Sequence, residues 1–343
     1  MDNDGSAAAT PSFWVQPRTR LGDVVGQVDF ATTPRSAGPM TFASLPRIDE
    51  VAQLDVAIVG VPFDAGVSYR PGARFGPQHI RASSRLLRPY NPEADAWPFG
   101  AHQVADLGNI TAHPYDIPAA VAAVERGARD ALERADRLLV LGGDHTIALP
   151  VLRALSAVHG PIAVVHFDAH LDTWDTYFDT PLLHGTPFRR ASEEGLLDKE
   201  SCLHIGIRGG LYSAADMDDD RALGFMGIRC EDFDLVGLGG VIERMRSRVG
   251  TRPVYVSVDI DVLDPAFAPG TGTPESGGLS SRELLTILRA TADLNVVGAD
   301  IVEVAPTYDH AEITGIAAAH VGYELLSAWA PPLPPELANL RTR

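Results

Sequence analysis

Residues 161–173 read PIAVVHFDAHLDT, an apolar run that passes without a break into acids and imidazoles. The run is too short for a helix and rich in β-branched residues, so it reads as a strand. It is apolar throughout rather than alternating, which points to burial on both faces, as in a parallel sheet. Extended backbone has a period of two, so Asp168, His170 and Asp172 project to one side where that geometry persists.

Working outward, the same kind of run recurs at DVAIVGV (55–61), RLLVLGG (137–143), SCLHIGIRGG (201–210), PVYVSVDIDV (253–262) and NVVGADIVEV (295–304). Amphipathic helical patterns lie between them, over 77–87, 117–135, 146–158, 237–249, 280–293 and 312–328. Strands alternating with helices predict an α/β fold whose parallel sheet is covered on both faces. No internal repeat or Pro/Ser-rich linker interrupts 41–330, so residues 41–343 read as one domain. Residues 1–40, rich in Ala, Pro, Gly and Thr, read as an N-terminal arm, partly extended or disordered. A doubly wound sheet places its ligand site at the carboxyl ends of its strands.

Three of those ends carry metal-type donors. Besides Asp168, His170 and Asp172, the 253–258 run ends on Asp259 and Asp261, and the 137–142 run leads through GGDHT (142–146) to His145. A lone DxD is an ordinary solvated turn, and GGDHT alone reads as a strand–helix turn capped by Asp144 or Thr146. Their joint occurrence is harder to explain that way, because parallel packing brings the three ends together. Converging carboxylates repel one another and are costly to desolvate, a conflict that a divalent cation resolves. Imidazole and carboxylate donors without thiolate point most naturally to Mn²⁺, with Co²⁺, Ni²⁺ or Zn²⁺ as substitutes. Six such side chains, with enough oxygens to bridge, suggest two ions rather than one.

Composition narrows the function classes. The 343 residues carry 28 Lys+Arg against 45 Asp+Glu, a net charge of −17 that repels nucleic acid and anionic lipid. Cys202 and Cys230 are the two cysteines; they form no CxxC and read as small hydrophobes. The leading MDNDGSAAATP has neither the basic segment nor the apolar core of a signal peptide. No apolar run approaches the ~18 residues that cross a bilayer. A cytoplasmic location with no membrane or nucleic-acid partner is the expectation.

Taken together, GGDHT, HFDAHLDT (166–173) and SVDIDVLDPAFAPGTGTP (257–274) resemble the three metal motifs of the ureohydrolase family. That family includes arginase, agmatinase, guanidinobutyrase and proclavaminate amidinohydrolase, and the similarity runs from about 41 to 328. The resemblance implies an arginase-like, three-layer α/β/α fold with a mainly parallel eight-stranded sheet. It implies two Mn²⁺ per subunit, one held by His145, Asp168, Asp172 and Asp259, the other by Asp168, His170, Asp259 and Asp261. His184 in LLHGTPF (182–188) falls where the family places a proton-shuttling histidine, and Glu303 in DIVEVAP (300–306) where a carboxylate pairs with the substrate guanidinium. Asp172 would pass a proton from the attacking hydroxide to the leaving nitrogen. The loop GVSYRPGARFGP (66–77) resembles an active-site wall of agmatinase-like members, with Arg74 structural. His166 reads as core packing. The other histidines, His79, His102, His113, His159, His204, His310 and His320, also read as structural, with His310 singled out because it closely follows Glu303.

The activity so implied is hydrolysis of a linear guanidine to urea and an amine. HGTPFRRA (184–191), IGIRGGLYS (205–213) and YDHAEITGIAAAH (308–320) resemble agmatinase and proclavaminate amidinohydrolase more than arginase. Residues 173–183, TWDTYFDTPLL, lack the asparagine-rich loop with which arginases receive an α-amino acid head. Agmatine, a small cationic guanidine cleaved to putrescine in polyamine biosynthesis, is the preferred substrate. Guanidinobutyrate, guanidinopropionate or another ω-guanidino acid is the alternative, with Arg208 or Arg70 receiving its carboxylate. A non-catalytic metal-binding paralogue, and a binuclear phosphoesterase or deacetylase, are the remoter readings. Relatives imply a homotrimer or homohexamer.

Overall fold

The computed structural model describes residues 16–333. Two short antiparallel strands, β1 (Arg18–Leu21) and β2 (Val24–Val28), come first, inside the segment expected to be an arm. The hairpin docks on the body of the chain: Val28 is buried and the Gln27 amide donates to the Ala43 carbonyl at 2.7 Å.

Eight strands then build one sheet: β3 (Val56–Gly60), β4 (Val104–Asn109), β5 (Arg137–Leu141), β6 (Ala163–Phe167), β7 (Cys202–Ile207), β8 (Phe225–Arg229), β9 (Pro253–Asp259) and β10 (Asn295–Val302). Their order across the sheet is β4-β3-β5-β10-β9-β6-β7-β8, and every pairing is parallel. The six expected strands form the interior of the sheet. The two not foreseen, β4 and β8, are its edges.

The α-helices among the described residues are α1 (Gly76–Ser83), α2 (Ile117–Leu132), α3 (Ala148–His159), α4 (Pro187–Glu193), α5 (Ala215–Leu223), α6 (Cys230–Val249), α7 (Ser281–Arg289) and α8 (Ile313–Trp329). Strand periodicity sorts the core into two layers. Leu139 and Leu141 of β5 join the apolar cluster under Ile80 of α1, Met245 of α6, Leu284 of α7 and Leu325 of α8. Leu138 and Val140 face the other way, onto Val124 of α2, Leu152 of α3 and Phe188 of α4. This is the three-layer α/β/α arrangement. Gly237, at φ 68°, interrupts α6 where the helical pattern at 237–249 was expected to begin.

Strand order decides where chemistry can sit. β5, β10, β9 and β6 are consecutive neighbours, so His145, Glu303, Asp259 and Asp168, which follow or terminate them, emerge side by side at one end of the sheet.

Candidate metal centre

Three strand ends use the same local device. Asp144 Oδ1 accepts from Thr146 N at 3.0 Å, Asp168 Oδ1 from His170 N at 2.6 Å, and Asp259 Oδ1 from Asp261 N at 2.8 Å. Each is an aspartate closing its own turn two residues on, which stops the strand and aims the next side chains across the sheet end. Gly143 lets the first turn close: a Cβ there would lie 1.7 Å from the Phe63 carbonyl oxygen. Asp172 and Glu303 hold their side chains from left-handed backbone, at φ 53° and 63°. Strain of this kind concentrates at functional sites.

The donors gather around two imidazoles. His145 Nδ1 lies 2.9 Å from Asp172 Oδ2, 3.3 Å from Asp168 Oδ2 and 3.4 Å from Asp259 Oδ2. His170 Nδ1 lies 3.2 Å from both Asp168 Oδ1 and Asp261 Oδ2. Asp168 thus serves both nodes. Grouping by donor separation joins His145, His166, Asp168 and Asp172 in one set and Asp168, His170 and Asp261 in the other. His166 enters the first set through its neighbour, since its Nε2 already faces Asp168 Oδ2 at 2.8 Å and its Nδ1 faces His204. The expectation of mere core packing for His166 is therefore corrected. It is buried, but as the polar backing of an acid.

Electrostatics show what the cluster lacks. Burial, with Asp261 and Asp168 beside it, drives the Asp259 carboxyl well above the carboxylate range, and burial and Asp168 push Asp261 up to about 6. Burial pulls the His145 imidazole down, yet Asp168, Asp172 and Asp259 outweigh it and leave the ring well above its usual value. His170 rises likewise, against burial, beside Asp261 and Asp168. These groups cannot all ionise without added positive charge. His145 Nδ1 is also buried without a hydrogen-bond partner, amid three carboxylate oxygens. An orphaned imidazole nitrogen among hard oxygen donors fits a divalent cation. The residues present fit the group.

Glu303 stands beside this cluster, fully buried. Its Oε1 accepts from His145 N at 2.9 Å and faces His184 Nδ1 at 3.1 Å, whereas Oε2 is buried with no partner. His184 is 8% exposed, and its Nε2 meets Ser68 Oγ at 2.7 Å. Burial opposes charge on His184, but Glu303 lifts it to about 9. A Cβ on Gly272 would lie 3.4 Å from Glu303 Oε2 and 3.2 Å from the Arg70 carbonyl, so the 66–77 loop walls this side.

The two arginines part company. Arg70 lies over the rings of Tyr69 and Tyr308, at 5.4 and 5.2 Å, and makes no ion pair among the described residues. Arg208 is enclosed instead: its guanidinium donates to the carbonyls of Gly206, Asp261, Val262, Leu263, Glu275 and Ser276 at 2.7–3.2 Å. The expectation that Arg208 receives a substrate carboxylate is corrected, because main-chain oxygens already take its donors. Arg74 pairs with buried Asp64, and His310 lies at the surface.

Behind the cluster stand polar groups, Ser257 and Asp300 among them, that carry no metal-type motif of their own in the sequence. Ser257 Oγ meets His145 Nε2 at 2.8 Å and donates to Asp300 Oδ1 at 2.7 Å. Asp144, buried and accepting from Gly66 N at 2.7 Å, pins the wall loop to the β5 turn. A polar residue inside an apolar strand, such as Ser257, His166 or Asp300, was the signal available.

Comparison with known proteins identifies a family. The profile of the arginase family matches residues 54–327. The chain is 43% identical to the guanidinobutyrase of Pseudomonas aeruginosa, over 85% of this chain and 93% of that protein. It is 42% identical to the mitochondrial agmatinase of Gallus gallus, over 85% and 86%. The structure of proclavaminate amidinohydrolase from Streptomyces clavuligerus superposes with a TM-score of 0.84 at 44% identity, covering 87% of this chain and 99% of that one.

Proposed function

The chain belongs to the arginase family, and from that premise we propose that it hydrolyses agmatine to putrescine and urea. Members of this family are amidinohydrolases that act on the C–N bond of a guanidino compound, and the named relatives are of that kind. The observation that carries the reading is Glu303: a buried carboxylate oxygen without a partner, beside a His/Asp cluster suited to divalent ions. A planar cation with paired N–H groups answers that oxygen.

We assign the ions to His145, Asp168, Asp172, Asp259, His170 and Asp261, with Mn²⁺ the expected metal. When bound, such a pair supplies water activated as a nucleophile near neutral pH. The chain's own residues do the rest. Glu303 Oε2 accepts guanidinium N–H groups and turns the guanidinium carbon toward the cluster, fixing the geometry of attack. Asp172 takes a proton and delivers it to the departing nitrogen, which leaves as a neutral amine rather than an amide anion. His184 exchanges protons between the site and solvent. Water adds across one C–N bond, giving urea and the amine.

For the tail, a groove of about 370 Å³ is lined by Trp174, Tyr177, Tyr212, Asp175, Asp216, Asp219 and Arg189. Asp219 faces Arg189 and Asp175 pairs with Arg190, so it is the aromatic faces that suit an ammonium end, and the loss of Arg208 as a receiver weighs against a carboxylate. One observation favours a second reading, an ω-guanidino acid: Arg70, at the wall, has no acidic partner among the described residues. We propose further that 41–343 act as one catalytic domain, assembled as a homotrimer or homohexamer. No helix among the described residues is long and apolar enough to cross a membrane.

Urea release from agmatine, 4-guanidinobutyrate, 3-guanidinopropionate and arginine after Mn²⁺ loading tests the reading. Agmatine should give the highest kcat/KM, and Arg70→Gln should hurt the acids and spare agmatine. Preference for an acid, lost in Arg70→Gln, overturns agmatine. Turnover of none of them overturns the guanidine class.

A further inference from the structure

Behind Asp168 a line of buried polar groups runs away from the cluster. His166 Nε2 meets Asp168 Oδ2 at 2.8 Å, His166 Nδ1 meets His204 Nδ1 at 2.7 Å, and His204 Nε2 meets Asp220 Oδ1 at 3.0 Å. Thr173 Oγ1 donates to that same Asp220 oxygen at 2.9 Å. Both imidazoles are wholly buried and Asp220 is 1% exposed. The fold dictates the line. His166 and Asp168 share a face through the period of β6, and His166 is the direct register partner of His204 in β7. Phe225 stacks on His204 at 4.2 Å and 13°, and Phe188 packs on His166 at 4.3 Å.

Hydrogen-bond direction explains why an acid ends the line. A carboxylate only accepts, so an ionised Asp168 and Asp220 each require an N–H on the Nε2 that faces them. The Nδ1–Nδ1 contact couples the two rings, so the line runs unbroken from Asp168 to Asp220. Asp220 anchors its far end, accepting from Thr173 as well as facing His204. Burial raises its carboxyl, but His204 and the hydrogen bonds from His204 and Thr173 prevail and hold it below the ordinary range.

We propose that His166, His204 and Asp220 are positioning residues of the metal centre, fixing the one carboxylate that serves both imidazole nodes. The inference rests on the metal-dependent reading above. Ligating carboxylates need such outer partners to keep their orientation, and losing one typically costs about 10–100-fold in metal affinity or activity. The line predicts a pattern as well as a loss. Because Asp168 faces both His145 and His170, damage to its backing should weaken both ions together. Ser257 backs His145 alone, so Ser257→Ala should weaken one.

The test is calorimetric titration of the metal-stripped full chain with Mn²⁺, alongside thermal unfolding without metal. Asp220→Asn, close in size, and His204→Phe should each lose roughly 10-fold or more for both equivalents, with kcat falling at saturating Mn²⁺ and KM unchanged. If His204→Phe does not fold, Asp220→Asn decides. Wild-type affinity for both equivalents in the variants overturns the inference. So does a lower melting temperature with unchanged affinity per folded molecule, which is a packing role only. Absence of Mn²⁺ binding by the parent chain overturns the reading of the site itself, and this inference with it.

Discussion

The middle strands and the edge strands of the sheet have the same extended backbone and end at the same rim, yet their ends differ in kind. At the edges, Asn109 of β4 accepts from Arg81 at 2.6 Å and Arg229 of β8 pairs with Glu231 at 2.7 Å. At the centre, Asp168, Asp259, Asp261 and Glu303 are buried, with histidines rather than arginines or lysines facing their carboxylates among the described residues. Burial alone does not make the difference: Asp106 of edge strand β4 is 2% exposed, but Arg81 meets both of its oxygens at 2.7 and 2.8 Å. The same residue type that has its arginine at the edge is, in the middle, an unmet demand for a cation.

The contrast is most easily broken at Asp259. Asp259→Asn keeps the shape and the turn that accepts from Asp261 N, but removes one negative charge from the middle of the cluster. Metal content should fall from about two equivalents toward none, and urea release should vanish with it. Two full equivalents by elemental analysis would show that the charge at this position is dispensable.

Glu303→Gln comes next. It leaves the donors around His145 and His170 untouched, so metal content and folding should hold. Removing one partner of a desolvated charge pair costs roughly 2–5 kcal/mol, which should appear in kcat/KM for every guanidine whatever its tail. A loss confined to one tail type would mean that Glu303 reads the far end of the substrate. His184→Ala should come third, lowering kcat about 10²-fold with both ions retained. An unchanged kcat, with proton transfer shown to limit the rate, would falsify the shuttle role.

The same contrast governs how much was legible in the chain. Strands buried on both faces, such as 137–141 and 253–259, are nearly continuous apolar runs and announce themselves. β4 reads VADLGN, broken by Asp, Gly and Asn, and β8 reads FMGIR, short with a glycine at its centre and an arginine at its end, so neither is a continuous β-branched run and neither stands out. The clustering of these acids and imidazoles was legible because an aspartate that closes its own turn leaves a short local signature, DxH or DxD. Asp220 and His204 were not, since their relation to Asp168 exists only through the lateral register of β6 on β7 and the placing of α5. Arg208 was misread for a related reason. A single arginine after a strand does not disclose that the loops at 260–263 and 275–276 curl their carbonyls around it.

The smallest effect separates stability from function most cleanly. Val258 in β9 and Val104 in β4 are both buried, at 0% and 1% exposure. Trimming either to alanine removes two methyl groups, about 0.8 kcal/mol each in transfer, plus a cavity term. Val258→Ala and Val104→Ala should therefore each cost about 1.5–2.5 kcal/mol in urea unfolding of the metal-free chain. Their consequences for the site should diverge. Val258 directly precedes Asp259, and its amide donates to Asp300 at 3.3 Å, so slack there reaches a ligand and the Ser257–Asp300 pair together. Val104 has β3 and β5 between it and β10, the strand that leads to Glu303. Val258→Ala should weaken Mn²⁺ binding several-fold, while Val104→Ala should leave it at the parent value once unfolded protein is accounted for. Equal weakening in both would mean that the sheet transmits strain as one body, and that the separation between its centre and its edge is one of charge alone.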